Sequence, residues 1–278
     1  MRASPDSTLA RVTRRDRLAR ALPVPLTIAL AVVVVVEFVV LWQNIEGQDA
    51  IGLDYRWFVG VAQHWLDTGE LYVPRQLAGP YHVETLVDVL YPPNALLLFL
   101  PFTVLPAVLW WAIPLGVFGF SIVYLRPARW AWPLIAACIA WPWTISQVIY
   151  GNTNMWIAGF VAGGALVAWP AVFVLLKPSL LPFALLGIGR RSWWTALVVF
   201  VVVSLPFGAL WLDYFSAMRN SDVSAVRSLF TVPNLLPPVI ALLASRHPAY
   251  ARRPRYMRIP FPRQSQMSTT SPESSSDR

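Results

Sequence analysis

Four long stretches of this chain contain no charged residue, and they constrain its fold more than any other feature. They run over residues 89–125, 130–176, 192–212 and 228–245. About 20 apolar residues cross the hydrocarbon core of a bilayer as a helix, which satisfies its own backbone hydrogen bonds there. Charged residues make up 13% of the chain, whereas about a quarter is usual in soluble domains. The sequence therefore predicts an all-α, polytopic protein of the cell membrane.

The basic residues are concentrated near the two ends of the chain. Six arginines lie in residues 1–20 and six in residues 246–263, out of 22 basic residues in all. Clusters of this kind flank membrane segments on the cytoplasmic side and also contact anionic lipid head groups. No basic segment is interleaved with aromatic residues as in a nucleic-acid-binding motif. We therefore expect cytoplasmic termini, membrane lipids as partners and no nucleic-acid partner.

Charge and proline positions divide the chain into three parts. Residues 1–20 are predicted to form a basic cytoplasmic tail, residues 21–245 a transmembrane domain, and residues 246–278 a basic, then serine-rich disordered tail. The transmembrane domain has two predicted outer loops, at 43–90 and 213–231. About six spans and one re-entrant or interfacial helix, at 95–105, are predicted; the spans are 22–42, 107–125, 131–149, 155–189, 193–212 and 232–245. Glycines, prolines and a lysine interrupt the apolar sequence between residues 91 and 190, so the number of spans there is left open.

An acidic residue, Asp54, opens an amphipathic segment just beyond the first apolar stretch. Apolar residues follow it at helical spacing as far as Gly69, which predicts a helix lying on the membrane surface. A carboxylate at the boundary between water and lipid suits a general base. Aspartate is also favoured at helix N-caps, and the sequence leaves both interpretations open. Asp88, just before the chain returns to the membrane, is either a second functional acid or a solvated loop charge.

Three more polar residues stand out within apolar sequence. Lys177, the only lysine of the chain, precedes Pro178. It is expected either to bind a phosphate at a helix break or to extend to a lipid head group. Asn152 and Asn154 either bind substrate or cap a turn. The histidines have no metal-ligand spacing, so no metal site or other cofactor is predicted, although a divalent metal is left open.

Four motifs in sequence order resemble those of a known enzyme family. They are Asp54-Tyr55 opening a helix that ends in Gly69-Glu70-Leu71-Tyr72, Tyr91-Pro92-Pro93 leading to Leu105-Pro106, Gly151-Asn152-Thr153-Asn154, and Lys177-Pro178 followed by Leu180-Leu181 and Arg190-Arg191. On these motifs the chain resembles the polyprenol-phosphate-mannose-dependent alpha-mannosyltransferases, integral membrane glycosyltransferases of the GT-C class. The segment between Asn154 and Lys177 looks shortened beside the family pattern, and the sequence leaves open whether the chain is a complete and active member.

The resemblance implies a GT-C-like fold and an inverting hexosyltransferase, typically for mannose, with its active site on the extracytoplasmic side. Its donor would be a polyprenyl-phosphate sugar, and its acceptor a glycolipid or glycan of the cell envelope. Carried over by position, the resemblance makes Asp54 the catalytic base. We further predict donor-phosphate contacts for Lys177 and Arg56. The predicted substrate contacts are Tyr91, Asn152, Asn154 and Asp88.

Two functions of other kinds also fit the sequence. A non-catalytic membrane subunit of a glycan-assembly complex would keep the same fold without needing Asp54 as a base. A small lipid or solute transporter would account for helices interrupted by prolines, although the large acidic outer loop argues against it.

Overall fold

The computed structural model describes residues 22–83, 88–222 and 230–246. Within these ranges the chain is mostly helical and contains no β-strand beyond two isolated bridges. Its α-helices, numbered in chain order, are α1 (Pro23–Glu46), α2 (Leu53–Thr68), α3 (Pro74–Ala78), α4 (Leu96–Phe99), α5 (Val108–Leu125), α6 (Ala131–Ile139), α7 (Pro142–Tyr150), α8 (Asn154–Val167), α9 (Leu181–Ala184), α10 (Arg191–Ser204), α11 (Gly208–Asn220) and α12 (Val232–Leu243). The predicted tail 1–20 lies outside the described residues, and so does the predicted tail 246–278 apart from Arg246.

Three helices in the described part of the chain are long and apolar enough to cross a membrane. They are α1, α5 and the continuous pair α10–α11, which runs from Arg191 to Asn220. Helices α6 and α7 make a fourth if they count as one span, although they meet at an angle of 54°. Pro142 stands at the start of α7, where its fixed φ and missing N–H are tolerated. The prediction of a helical protein with several apolar, membrane-length helices is therefore supported.

The other two predicted spans consist of shorter pieces. In the segment 155–189, helix α8 has only 14 residues and ends at Ala168, whose φ of 64° turns the chain back. A 3-10 segment, Trp169–Leu176, then returns beside α8 to Lys177. Close contact is possible because Gly164 faces Ala171, where a Cβ on the glycine would come within 2.7 Å of the alanine Cβ. Helix α12, at the place of the last predicted span, has only 12 residues.

The short helical segment predicted at 95–105 is present, as a combination of α-helix and 3-10 turns over Pro93–Thr103. The predicted outer loop at 213–231 differs from the structure, because α11 continues through its first residues to Asn220. Tyr214 and Ala217 are buried, so this part of the helix packs against the rest of the protein. The helix therefore replaces the predicted loop over residues 213–220.

The helices place Arg126, Arg190, Arg191 and Arg246 at the end of the protein opposite to α2. At one end, which we call the arginine end, Arg246 N–H donates to the carbonyl oxygen of Arg126 (3.3 Å). The end of α8 joins this end, since Ser192 Oγ donates to the Val167 oxygen (3.4 Å) beside Arg190 and Arg191. At the other end, the site end, the indoles that begin α5 bond to the turn after α7. The sequence analysis predicts a cytoplasmic C-terminal tail, which begins at Arg246, and the side of the membrane that the arginine end faces stays a prediction.

Candidate functional site

Asp54 lies in the first turn of α2, and it does not cap that helix. The N-cap residue is Gly52, whose φ of 66° is left-handed, and the helix has no side-chain cap hydrogen bond. Gly52 N–H donates to the Ile149 oxygen (3.0 Å), which fixes the start of α2 against the end of α7. The carboxylate therefore faces the turn after α7, close to the positive end of its own helix dipole.

The turn that meets Asp54 is held in place by two tryptophans. Trp110 Nε1 donates to the Gly151 oxygen (2.7 Å), and Trp111 Nε1 donates to the Val148 oxygen (2.8 Å). Gly151 has a φ of 73°, and a Cβ there would come within 2.9 Å of the Tyr55 Cβ. Only glycine fits this position without displacing α2 or α5. The tight turn determines the positions of the two asparagines that follow it, Asn152 and Asn154.

The structure joins Asp54 to Lys177 through those two asparagines. Lys177 Nζ donates to Asn154 Oδ1 (2.6 Å), and Asn154 N–H donates to Asn152 Oδ1 (2.9 Å). Asn152 Nδ2 then donates to Asp54 Oδ2 (2.6 Å). No described salt bridge joins the carboxylate and the ammonium directly. We call these four residues the amide-bridged pair.

Burial changes the acid–base properties of both ends of the amide-bridged pair. It lowers the pKa of Lys177 to about 8, and the nearby Asp54 carboxylate partly opposes this. It raises the pKa of Asp54, while the hydrogen bond from Asn152 and the charge of Lys177 act in the opposite direction. Near neutral pH the lysine is still protonated, and the aspartate is a stronger base than an exposed carboxylate.

Tyr91, predicted to contact substrate, lies beside the amide-bridged pair. Its hydroxyl forms a short hydrogen bond with the hydroxyl of Thr153, the residue between the two asparagines. Burial raises the pKa of Tyr91 to about 12, and the Asp54 charge adds to this effect. Tyr72 Oη donates to the Tyr91 carbonyl oxygen (2.7 Å) and fixes its backbone. Tyr91 therefore stays a neutral hydroxyl next to the turn.

Two predicted site residues lie outside this group. Arg56 is exposed and donates to the backbone oxygen of Asp49 (2.7 Å), on another face of α2. Asp88 is buried and accepts hydrogen bonds from Arg75 Nη2 at both of its oxygens (2.9 and 2.8 Å). The structure therefore gives neither residue a contact with Asp54 or Lys177.

Two residues that the sequence analysis did not select belong to the site. Thr153 bonds Tyr91, and Gln147 Oε1 accepts a hydrogen bond from Asn154 Nδ2 (2.7 Å). Gln147 could have been suspected, because it is a polar side chain within the charge-free stretch 130–176. Its pairing with Asn154 depends on the tight turn at Gly151, which sequence spacing does not reveal.

An open apolar groove of about 710 Å³ is lined in part by residues that are close in sequence to the amide-bridged pair. It lies between α5, α8 and the 3-10 segment after α8, and every residue that lines it is apolar, aromatic or glycine. Trp156 and Leu176 line its site end, two residues from Asn154 and one residue from Lys177. Val167 and Trp169 line its far end, toward the arginine end. The groove thus runs from the lysine along the apolar surface of the helices.

Metal ligands do not converge in the described ranges, where no group of three or more His, Cys, Asp or Glu side chains could hold an ion. Comparison of the chain with protein-family models, with curated proteins and with solved structures gives no match. A functional interpretation therefore rests on the arrangement of charges at the site end.

Proposed function

We propose that this protein is a membrane glycosyltransferase that moves a hexose from a polyprenyl-phosphate donor to a hydroxyl group of a cell-envelope glycolipid or glycan. By the family resemblance, the hexose is mannose and the site faces outward from the cytoplasm. The observation that carries the proposal is the amide-bridged pair, which places a basic carboxylate and a buried ammonium in one cluster without neutralising either by direct contact.

The chemistry follows from what each end of the pair still offers. Asp54 Oδ2 accepts from Asn152, and Oδ1 has no hydrogen-bond partner among the described residues. Asp54 takes the proton of the acceptor hydroxyl while that oxygen attacks the anomeric carbon. The bond between the anomeric carbon and the phosphate oxygen breaks, and its electron pair leaves with the lipid phosphate. Attack from the opposite face inverts the configuration at that carbon.

Lys177 is suited to stabilise the leaving phosphate. An ammonium has three N–H donors, and within the described residues this one makes a single hydrogen bond, to Asn154. Two donors therefore remain for phosphate oxygens as negative charge develops. The cation is held in a buried site, where its attraction for an anion is stronger than in water.

The apolar groove supports a substrate with a lipid tail. A phosphate at Lys177 would have its chain directed past Leu176 and Trp156 into the groove. A water-soluble sugar nucleotide would have no use for this surface. A hydrocarbon chain bound in the groove would cover apolar surface that is otherwise in contact with water or with loosely packed lipid. Either exchange favours binding of the chain.

The decisive experiment is a transfer assay with purified protein, polyprenyl-phosphate mannose and a glycolipid acceptor. We expect transfer by the wild type, and a loss of at least about 100-fold in Asp54→Asn, because a general base contributes factors of that size. Asp67→Asn is the matched control, since this acid is on the same helix and exposed, and among the described residues its side chain accepts only from Gln63. Transfer by Asp54→Asn at the wild-type rate contradicts the proposal.

The groove has its own test, based on two glycines of α5. A Cβ at Gly116 or at Gly119 meets nothing within 4 Å, but only Gly116 lines the groove. Leucine at Gly116 should raise KM for a long-tailed donor about tenfold, the affinity of roughly two buried methylene groups, and leave kcat unchanged. Gly119→Leu makes the same chemical change outside the groove and should leave KM unaltered. Equal KM values for the two variants would exclude the groove as the tail site.

A further inference from the structure

The side-chain amide of Asn154 has a partner of opposite kind at each end. Its Oδ1 accepts from Lys177 Nζ (2.6 Å), and its Nδ2 donates to Gln147 Oε1 (2.7 Å). An ammonium can only donate hydrogen bonds, so the oxygen of the amide has to face the lysine. The amide nitrogen then has to face an acceptor on the other side, and Gln147 supplies it.

Gln147 is held firmly enough to determine this orientation. Its side chain is buried, with 6% of the residue exposed, and Asn154 is only 3% exposed. Its backbone oxygen accepts from the N–H groups of Gly151 and Asn152, so the end of α7 is fixed to the turn. Without Gln147 Oε1, the buried Asn154 Nδ2 would lack its acceptor and the amide could rotate. A rotated amide would present N–H groups to the ammonium.

We infer that Gln147 is a positioning residue of the lipid-phosphate site: it orients the Asn154 amide so that Lys177 is anchored by one N–H and presents the other two to the phosphate. This inference rests on the proposed function, because it takes a lipid phosphate as the ligand of Lys177. Gln147 contacts Asn154 and acts on the ligand only through it. An apolar residue of similar size at this position would keep the packing and lose the orientation.

The test measures binding of a long-chain alkyl phosphate to the full-length protein between pH 6 and pH 10. In the wild type, binding should weaken above about pH 8, where Lys177 loses its proton. The charged or titratable groups near this lysine are Asp54, on α2, and Tyr91, whose pKa responds to Asp54. Neither is changed by substitution of Gln147, so a displaced pH limit reports on the lysine and its amide.

Gln147→Met should bind the probe about tenfold more weakly at pH 7, the effect of one lost hydrogen bond of ordinary strength, and its alkaline limit should fall below that of the wild type. Gln147→Glu keeps an acceptor for Asn154 and adds negative charge, so its alkaline limit should lie at a higher pH than in the wild type. Ser146→Ala is the control, because within the described part of the chain the Ser146 hydroxyl bonds only the Trp143 oxygen of its own helix. A general loss of stability would weaken binding without moving the pH limit.

Lys177→Met separates failure of this inference from failure of the proposed function. If Lys177→Met binds the alkyl phosphate as tightly as the wild type, both are wrong. If Lys177→Met loses binding and Gln147→Glu keeps the wild-type alkaline limit, only the positioning role of Gln147 is overturned. This second comparison holds even where Gln147→Met fails to fold.

Discussion

Two regions of the protein place a carboxylate near a cation, and they do so in different ways. In the chain between α2 and α4, which we call the outer segment after the predicted outer loop 43–90, Arg75 donates directly to both oxygens of Asp88, at 2.9 and 2.8 Å. At the site end, two neutral asparagines separate Asp54 from Lys177. The first pair is in direct contact, whereas the second is connected only through amides.

The difference indicates which pair is structural. Arg75 and Asp88 satisfy each other, and the residues next to them bind the same segment: Gln76, which is fully buried, donates to the oxygens of Tyr81 and Val89. A carboxylate and an ammonium bridged by amides keep donors and acceptors for a third molecule. The direct pair therefore stabilises the outer segment, and the amide-bridged pair leaves charged groups available, as the proposed function requires.

Removing the cation from each pair should give the largest contrast. Arg75→Met leaves the Asp88 side chain, which is 0% exposed, as a buried charge without its arginine, and should lower the unfolding free energy by about 3 kcal/mol. Lys177→Met removes a cation that is disfavoured by burial, so stability at pH 7 should be unchanged or higher. Denaturant unfolding of the purified protein measures both. Equal destabilisation by the two substitutions would show that the amide-bridged pair is also structural.

Removal of Lys177 should also affect activity. In free energy, this effect is slightly smaller than the loss of stability expected for Arg75→Met. Lys177→Met should reduce kcat/KM about 100-fold, the loss typical of one donor to a developing oxyanion. Since transfer needs a protonated lysine, wild-type activity should fall above about pH 8. Lys177→Arg should extend activity to higher pH, because a guanidinium stays charged there. Activity that remains constant from pH 7 to pH 10 would exclude the lysine from the reaction.

The same lysine should make the stability of the folded protein rise with pH over the range in which activity falls. Its pKa is about 8 in the folded protein and 10.5 as an ordinary lysine, so the unfolded chain holds more protons between these values. The stability of the wild type relative to Lys177→Met should therefore rise as the pH increases from about 8 to 10.5, while activity falls. A purely structural salt bridge would lose stability over the same range.

The sequence was sufficient to identify the ends of the amide-bridged pair but not their connection. Asp54 and Lys177 are detectable because charges in or beside apolar stretches are rare. The contact between Asp54 and Asn152, 98 residues apart, depends on indole hydrogen bonds that hold the turn after α7. Local spacing contains no signal for such a contact.

Helical periodicity could have corrected one of the other sequence predictions. The remaining differences depend on contacts that local sequence does not predict. Arg56 follows Asp54 by two positions, about 200° around a helix, so periodicity already directs it elsewhere. Asp88 pairs with Arg75, which is 13 residues away, and neither helical nor strand periodicity predicts that contact. The chain reversal at Ala168 uses a left-handed φ at a residue other than glycine, and Gly187 packs against that alanine. Propensities do not predict such a reversal, so the segment 155–189 looked like one interrupted span.

The smallest effect tests whether the amides do more than separate the charges. Asn152→Ala removes the hydrogen bond that lowers the pKa of Asp54, while the burial that raises it stays. The acidic limit of the activity profile should therefore move to higher pH, because the loss of this bond leaves the raising effect of burial less opposed. Asn220→Ala is the matched control, because that amide donates to the Gln76 oxygen (3.0 Å) in the outer segment. If the two alanine variants have the same acidic limit, Asn152 only separates the charges. The direct pair and the amide-bridged pair would then differ only in the distance between their charged groups.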